Sequence, residues 1–246
     1  MFIRSFDPRK ISPRVRSTVN NAKSKRILNS VEPGDYFVSP MPDTPITQWA
    51  SANLVSKILN QEISAENDPK WQDFGFKTKK DYNFWSWRIC GLICVKQVID
   101  ALVPDNDESV ASLTEKGVCL GGYDTVNDKG WFYLPLIKLA KTYDLDGKVH
   151  GSLTINEISA SILKNHFIIA SVHPGVIRGD LNKNPHDDKG HLVLVVGFQF
   201  KNNRINGFYI NNPSGRKSST QQKTFIPIDM FREAFASRGF SLFQNK

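Results

Sequence analysis

The stretch FWSWRICGLICVKQVIDALV, residues 84–103, holds the strongest pattern in the chain. Five apolar side chains recur there at helical spacing and form one stripe: Cys90, Ile93, Cys94, Val98 and Leu102. This stripe predicts a buried helix over residues 90–103. The aromatic segment 82–87 precedes it and is expected to be a loop that gives way to the helix at Cys90.

Further elements are predicted on both sides of this helix. Apolar spacing predicts a short upstream helix from Thr47 to Asn60 and four later ones: 108–119, 133–143, 156–163 and 228–236. Short apolar runs predict four strands: 167–172, 191–200, 207–211 and 240–243. Because helices come first and antiparallel-type strands follow, the fold class is expected to be α+β rather than a doubly wound sheet.

The composition is that of an ordinary globular protein, with 40% hydrophobic and 23% charged residues. No apolar run approaches the ~18 residues that a membrane-spanning helix requires, and residues 1–20 lack the apolar segment of a secretory signal. Three cysteines, an odd number, argue against a disulfide scaffold. We therefore expect a cytoplasmic protein without a transmembrane segment.

The net charge of +8 is concentrated at the N-terminus. Residues 1–30 hold eight Lys and Arg residues and one acid, a net +7, which leaves +1 for the remainder. We interpret residues 1–30 as a basic arm, 31–80 as a loop-rich leading segment packed on the body, and 81–246 as the main domain. The simplest role for the arm is a solvated tail, with a transit peptide as an alternative. Its charge also predicts a weak contact with anionic surfaces.

Cys90 is the first candidate catalytic residue. It stands where a loop meets a helix, so the positive end of the helix macrodipole would stabilise its thiolate. Gly91 follows directly and allows close approach to the backbone. The alternative is a small buried core cysteine, which is also the role expected for Cys94 and Cys119.

His191 is the second candidate, because it opens an apolar strand after a polar stretch and so should face a cleft. The two strands that begin at 191 and 207 are joined by a hairpin-like turn at 201–204. In an antiparallel pair, residues equidistant from the turn are neighbours, so His191 and Asn212 should meet within two residues of register. Asn211 should then point to the opposite face.

An Asn beside a His can accept its ring N–H and fix the tautomer, which is the third-group role in nucleophile–base–orienter sites. A plain turn is the alternative role for Asn212. The four other histidines are interpreted as surface or structural residues: His150, His166, His173 and His186. No C-x-x-C or H-x-x-x-H pair occurs, so neither a metal nor another cofactor is expected. The loop 174–190 leads into His191 and is predicted to be a flap that contributes to substrate selection, with an uninvolved surface loop as the alternative.

Three short motifs in order resemble the bacteriocin-processing leader peptidases, a branch of the papain-like cysteine peptidases. They are Cys90-Gly91 opening a hydrophobic helix, Gly190-His191 opening an apolar strand, and Tyr209 to Pro213. The resemblance covers roughly residues 80–245, and 84–94 is similar to stand-alone bacterial members. It implies a papain-like fold over 81–246, with an N-terminal helical half followed by an antiparallel sheet.

By this resemblance Cys90 is the nucleophile, His191 the general base and then acid, and Asn212 the orienter, where the family usually has Asp. Two departures stand out. Leu92 occupies a position where the family commonly has Pro. Papain-like peptidases also place an oxyanion-donating Gln several residues before the nucleophile, and none occurs between residues 75 and 89. Asn83 is the candidate substitute, and Gln48 is a distant alternative.

The resemblance implies a cysteine peptidase that acts on a peptide or protein through an acyl-enzyme. A catalytically weak or inactive relative that binds peptides in the same cleft is an alternative, favoured by the absent Gln. An acyl transferase that uses the same thiolate is another. The complete set of Cys, His and Asn favours the peptidase.

Overall fold

The computed structural model describes residues 46–49, 64–176, 190–214 and 218–244. The basic arm, the rest of the leading segment up to residue 63, most of the predicted 174–190 flap and His186 lie outside these residues. Within the described ranges, none of the helices combines the length and apolarity needed to span a bilayer.

Helices fill the first half of the described chain. A 3-10 turn at Trp71–Phe74 precedes five helices: α1 (Lys79–Ser86), α2 (Cys90–Leu102), α3 (Val110–Cys119), α4 (Tyr133–Lys141) and α5 (Ile155–Leu163). Two short ones lie among the strands: α6 (Ser218–Gln221) and α7 (Ile228–Ala234). Side-chain caps start three of them, since Thr78, Ser109 and Thr154 each accept an orphan backbone N–H of the first turn.

The strands form one antiparallel sheet with the order β2-β7-β3-β4-β5-β6. Their bounds are β1 (Ile46–Trp49), β2 (Leu145–His150), β3 (Phe167–Val172), β4 (His191–Lys201), β5 (Arg204–Asn211), β6 (Thr224–Pro227) and β7 (Phe235–Gln244). One edge of β4 is shared: β3 pairs with its first half and β1 with residues 197–200. The α+β prediction is confirmed. Strand β4 pairs with three other strands, β1, β3 and β5.

Helix α2 packs on β4 and against α3 and α4. Three residues of its apolar stripe are buried, Ile93, Cys94 and Val98, whereas Cys90 and Leu102 at the two ends are partly buried. Each large buried side chain there contributes about 1.5–3 kcal/mol to folding. The helix lies close to β4 at Gly91, where a Cβ atom would lie 2.7 Å from Leu192 Cδ1 and 3.1 Å from Leu136 Cδ1. The glycine after Cys90 therefore allows the start of α2 to lie against the start of β4.

Two predictions upstream of α2 were wrong. Residues 46–49, where a helix was expected to begin at Thr47, form strand β1, because the open edge of β4 beyond β3 provides backbone partners that local spacing does not reveal. The rest of that predicted helix lies outside the described residues. The expected loop 82–87 is mostly helix α1, since Thr78 caps it and Tyr82 packs its ring into the core.

Cys119 was also predicted wrongly, because it is exposed rather than in the core. The buried face of α3 follows residues 110, 113, 114 and 117, and position 119 lies away from that stripe. The short strands β2 and β6 were not predicted at all. Both are edge strands whose alternation is weak, so their pairing with β7 and β5 defines them.

Candidate active site

Three side chains from separate parts of the chain meet at the start of β4. Cys90 is the first residue of α2, His191 is the first of β4, and Asn212 directly follows β5. The Cys90 thiol is hydrogen-bonded to the His191 imidazole, and His191 Nε2 lies 2.7 Å from Asn212 Oδ1. His191 and Asn212 are buried, whereas Cys90 is partly exposed. Of the three residues, Cys90 is therefore the one that is partly open to solvent.

The backbone around Asn212 defines the direction of these hydrogen bonds. The Ser214 N–H donates to Asn212 Oδ1 at 3.1 Å, and because a backbone N–H can only donate, this atom must be the amide oxygen. His191 Nε2 therefore carries a proton and donates to Asn212, which leaves Nδ1 for the Cys90 thiol. The Asn212 N–H donates in turn to the Gln221 carbonyl at 2.7 Å. Asn212 is thus held through both its side chain and its backbone.

Cys90 is favoured as a thiolate. Burial alone would raise the pKa of its thiol, but the hydrogen bond and charge of His191 lower the pKa below that of an ordinary thiol. The backbone N–H groups of Leu192 and Gly91 act in the same direction, and so does the N-terminus of α2. Cys90 therefore has the environment of a nucleophile.

Cys94, one turn along α2, has the opposite environment. Its side chain is fully buried, and its Sγ contacts the Leu192 carbonyl oxygen at 3.6 Å. Burial, and then the adjacent charge of Cys90, raise the pKa of the Cys94 thiol well above its ordinary value. Cys94 is thus an unreactive core residue, as its sequence position indicates.

The turn that leads into Cys90 is held by a network that the sequence analysis missed. The Trp131 indole N–H donates to the Arg88 carbonyl at 2.9 Å. The Arg88 guanidinium binds Asp128 through two hydrogen bonds, at 2.7 and 3.0 Å, and also donates to the Phe84 carbonyl. These hydrogen bonds lower the pKa of Asp128 and raise that of Arg88. The Asp and Asn residues of the 124–128 turn are a sequence signal that could have drawn attention to it.

The two oxyanion candidates are not brought to this cluster. The Asn83 amide serves the turn at residues 64–67 instead, since its Oδ1 accepts from the Ala65 N–H at 2.6 Å and its Nδ2 donates to Glu66 at 3.2 Å. Gln48 is in β1 opposite Phe198, about 20 Å along β4 from His191. Of the donors considered, the backbone N–H of Cys90 at the start of α2 is the one adjacent to the sulfur.

The other described histidines make structural contacts. His150 Nε2 lies 3.0 Å from Ser241 Oγ, and the His166 ring stacks on Phe243 with 4.2 Å between centroids. Burial lowers the pKa of both imidazoles. His173 Nδ1 accepts the Gly175 N–H at 3.0 Å. Across the described ranges, no group of three or more His, Cys, Asp and Glu residues could hold a metal ion.

Comparison with known proteins identifies related sequences and structures. The profile of the Peptidase_C39 like family matches residues 71–242. A putative C39-like peptidase from Bacillus anthracis is 14% identical, with a TM-score of 0.46 over 65% of this chain and 90% of that one. The peptidase domain of Streptococcus ComA, a bi-functional ABC transporter involved in a quorum sensing pathway, is 17% identical, with a TM-score of 0.45 over 64% and 93%.

A third solved structure is a double glycine motif protease from an AMS/PCAT transporter, in complex with the leader peptide. It is 19% identical, with a TM-score of 0.36 over 63% of this chain and 81% of that one. Among curated proteins, no sequence matches the chain.

Proposed function

Because the chain belongs to the Peptidase_C39 like family, we propose that it is a cysteine peptidase that cleaves a peptide bond with Cys90, His191 and Asn212. The observation that carries this proposal is the continuous hydrogen-bonded series from the Cys90 thiol through His191 to Asn212 Oδ1. The family match also confirms the resemblance and the papain-like α+β fold that the motifs predict. A stand-alone type remains a prediction.

Acylation begins with attack of the Cys90 thiolate on the carbonyl carbon of the scissile peptide bond. A bond forms between sulfur and carbon, and the carbonyl oxygen takes the negative charge, which the Cys90 N–H stabilises. The His191 imidazolium then gives its Nδ1 proton to the amide nitrogen as the carbon–nitrogen bond breaks. The products are a thioester on Cys90, a free amine and a neutral His191.

Deacylation uses the same imidazole in its neutral form. His191 Nδ1 takes a proton from water while the water oxygen attacks the thioester carbon. The carbon–sulfur bond breaks, the acid is released, and the thiolate–imidazolium pair is restored. Throughout both steps Asn212 accepts the Nε2–H, which keeps Nδ1 directed at the reacting atoms.

One observation favours a second candidate, a weak or inactive relative that binds peptides in the same cleft. The Asn83 amide is engaged with Ala65 and Glu66, so it does not supply the donor that papain-like peptidases take from an upstream Gln. Loss of one oxyanion donor slows related reactions by about 100- to 1000-fold. Acyl transfer to an amine follows from the same thioester and differs only in what attacks it.

The test uses the full chain with a mixture of unstructured peptides and mass spectrometry. Cleavage products are expected with the wild type and with Cys94→Ala, and not with Cys90→Ser. If a peptide-based electrophile labels Cys90 but no peptide is cleaved, the chain is the binding relative. If added amines appear on the acyl product in preference to water, the activity is acyl transfer. An electrophile that fails to label Cys90 refutes the thiolate chemistry altogether.

Two further parts of the proposal concern the setting of the protein. We propose a cytoplasmic location, because the thiolate chemistry requires Cys90 to be reduced and the cytoplasm keeps thiols reduced. We also propose that the basic arm, residues 1–30, binds anionic surfaces weakly. Binding to vesicles that contain anionic lipid should fall with salt and vanish on deletion of residues 1–25.

A further inference from the structure

A buried amide pair links the helix of Cys90 to the strand end of Asn212. Asn211 Nδ2 donates to Gln97 Oε1 at 2.7 Å, and both residues are only 1% exposed. Gln97 lies two turns after Cys90 on α2, and Asn211 is the residue immediately before Asn212. The hydrogen bond therefore joins the element that carries the nucleophile to the element that carries the orienter.

The orientation of both amides follows from one backbone group. The Lys223 N–H donates to Asn211 Oδ1 at 2.9 Å, so the Asn211 nitrogen must face Gln97. Gln97 then has to present its oxygen. The Gln221 carbonyl also accepts the Asn212 N–H at 2.7 Å, so residues 221–223 hold both Asn211 and Asn212.

This arrangement leaves a buried donor unused. Gln97 Nε2 has no hydrogen-bond partner among the described residues. Unpaired buried donors are uncommon in proteins and destabilise the fold, whereas two apolar side chains of the same shape could fill the space without that penalty. Core stability alone therefore does not explain why two amides occupy this position.

We propose that Gln97 and Asn211 are positioning residues that hold Asn212 in place against His191 relative to Cys90. The inference rests on the proposed function of these three residues. The packing of α2 on Leu192 already sets Cys90 against β4, and the β4–β5 ladder ends at the Leu194–Asn211 pair. The hydrogen bond between the Asn211 and Gln97 side chains adds the remaining link, from β5 to α2, at the point where the ladder stops.

The test is the pH dependence of Cys90 alkylation by iodoacetamide in Gln97→Met, made in a Cys119→Ser background because Cys119 is exposed. The described titratable groups that interact with Cys90 are His191 and Cys94, and neither is changed. The alkylation midpoint is expected to rise by about one unit, and the rate near pH 6 to fall about tenfold. Gln97→Met removes the unpaired Gln97 Nε2 but leaves Asn211 Nδ2 without its acceptor, so the melting temperature should move by only about 2–4 °C or less.

Two variants make the result specific to positioning. Thr114→Val removes a buried hydrogen bond on α3, from Thr114 Oγ1 to the Val110 carbonyl, and should alter the melting temperature without moving the midpoint. Asn211→Leu breaks the amide link from the strand side and should reproduce the shift, because Lys223 is exposed and water can replace its acceptor. It serves as the test if Gln97→Met fails to fold.

The outcomes separate this inference from the proposed function. A Gln97→Met midpoint equal to that of the wild type overturns the inference. It is also overturned if the midpoint shift of the double variant Gln97→Met/Asn212→Ala equals the sum of the two single shifts, because the two changes would then act independently. A shifted midpoint in a protein that cleaves no peptide supports positioning and refutes the peptidase. An ordinary-thiol midpoint in the wild type overturns both.

Discussion

Asn212 reaches His191 diagonally across the β4–β5 pair. The ladder pairs Leu194 with Asn211, so its register would put Val193, not His191, beside Asn212. Asn212 Oδ1 nevertheless lies 2.7 Å from His191 Nε2. Diagonal neighbours in antiparallel pairs are within reach of longer side chains. The contact therefore depends on how the chain is held after the last ladder residue, where Ser214 and Gln221 bind Asn212.

The first prediction concerns the reactivity of the two cysteines of α2. In a Cys119→Ser background, iodoacetamide is expected to modify Cys90 well below pH 8.5, the value near which ordinary thiols titrate. Cys94 should stay unmodified, because burial and the charge of Cys90 keep it protonated. His191→Gln should move the Cys90 midpoint upward, since it removes the imidazolium that stabilises the thiolate. Equal labelling of both cysteines would contradict this assignment.

The second prediction concerns the chemical nature of the orienter. Asn212→Ala is expected to lower kcat/KM about 10- to 100-fold, because the imidazole loses the acceptor that holds its Nε2–H. Asn212→Asp should keep activity within a few fold, and the alkaline limb of the pH profile should move up, because a carboxylate raises the pKa of a neighbouring imidazolium. Steady-state kinetics against pH measure both effects.

Asn206→Ala is the matched control for that series. Asn206 lies on β5, the strand that Asn212 directly follows, and donates to Gln199 Oε1 at 2.7 Å, away from Cys90 and His191. Its replacement should leave the pH profile unchanged. If it and Asn212→Ala have the same effect on kcat/KM, the orienter role assigned to Asn212 is wrong.

The third prediction concerns Gly91 and the fit of α2 on β4. Gly91→Ala places a methyl group 2.7 Å from Leu192 Cδ1 and 3.1 Å from Leu136 Cδ1. Both leucines are buried and have little room to move, so part of the strain should be relieved by a shift of the start of the helix, and of Cys90 with it. We expect Cys90 alkylation near neutral pH to slow about tenfold. Shortening the neighbour in Gly91→Ala/Leu192→Val should restore part of the rate. Gly151→Ala, where a Cβ meets nothing within 4 Å, is the control and should behave as the wild type.

The fourth prediction concerns how Glu108, outside the candidate active site, contributes to the stability of the fold as the pH falls. Partial burial opposes ionisation of Glu108, but hydrogen bonds from Lys116, Ser112 and Tyr143 lower its pKa to about 2. A depressed carboxyl pKa stabilises the fold above the ordinary value of 4.5 and loses that contribution as the pH falls from 4.5 to about 2. Glu108→Gln should therefore cost about 1 kcal/mol at pH 7, a value reduced by solvent screening of the half-exposed Lys116.

The measurement for Glu108 is urea unfolding at several pH values. The difference between wild type and Glu108→Gln should narrow as the pH decreases below 4.5. Glu115→Gln, at an exposed position on α3, is the matched control for the loss of a carboxylate. A difference that stays constant with pH would mean that Glu108 is not stabilised as a carboxylate.

Much of the fold follows from patterns within short stretches of sequence. The apolar stripe of residues 90–103 places a helix within one residue of its observed end, and the run 167–172 is a strand at its predicted bounds. The hairpin between β4 and β5 turns at Asn202 and Asn203, both with positive φ, a conformation that asparagine tolerates well. These features depend on neighbours a few residues apart, which is why the sequence alone predicts them together with the His191–Asn212 proximity.

The remaining features depend on partners far apart in the chain. Residues 46–49 are a strand because β4 offers a free edge about 150 residues later, and Asn83 turns to Ala65 and Glu66 rather than toward Cys90. The Gln97–Asn211 link spans 114 residues and has no local signature. Sequence spacing determines which residue types stand at helix starts and strand ends. Only the packing of α2 on the sheet decides which of their polar atoms meet, because hydrogen bonds require distances near 3 Å that spacing along the chain does not specify.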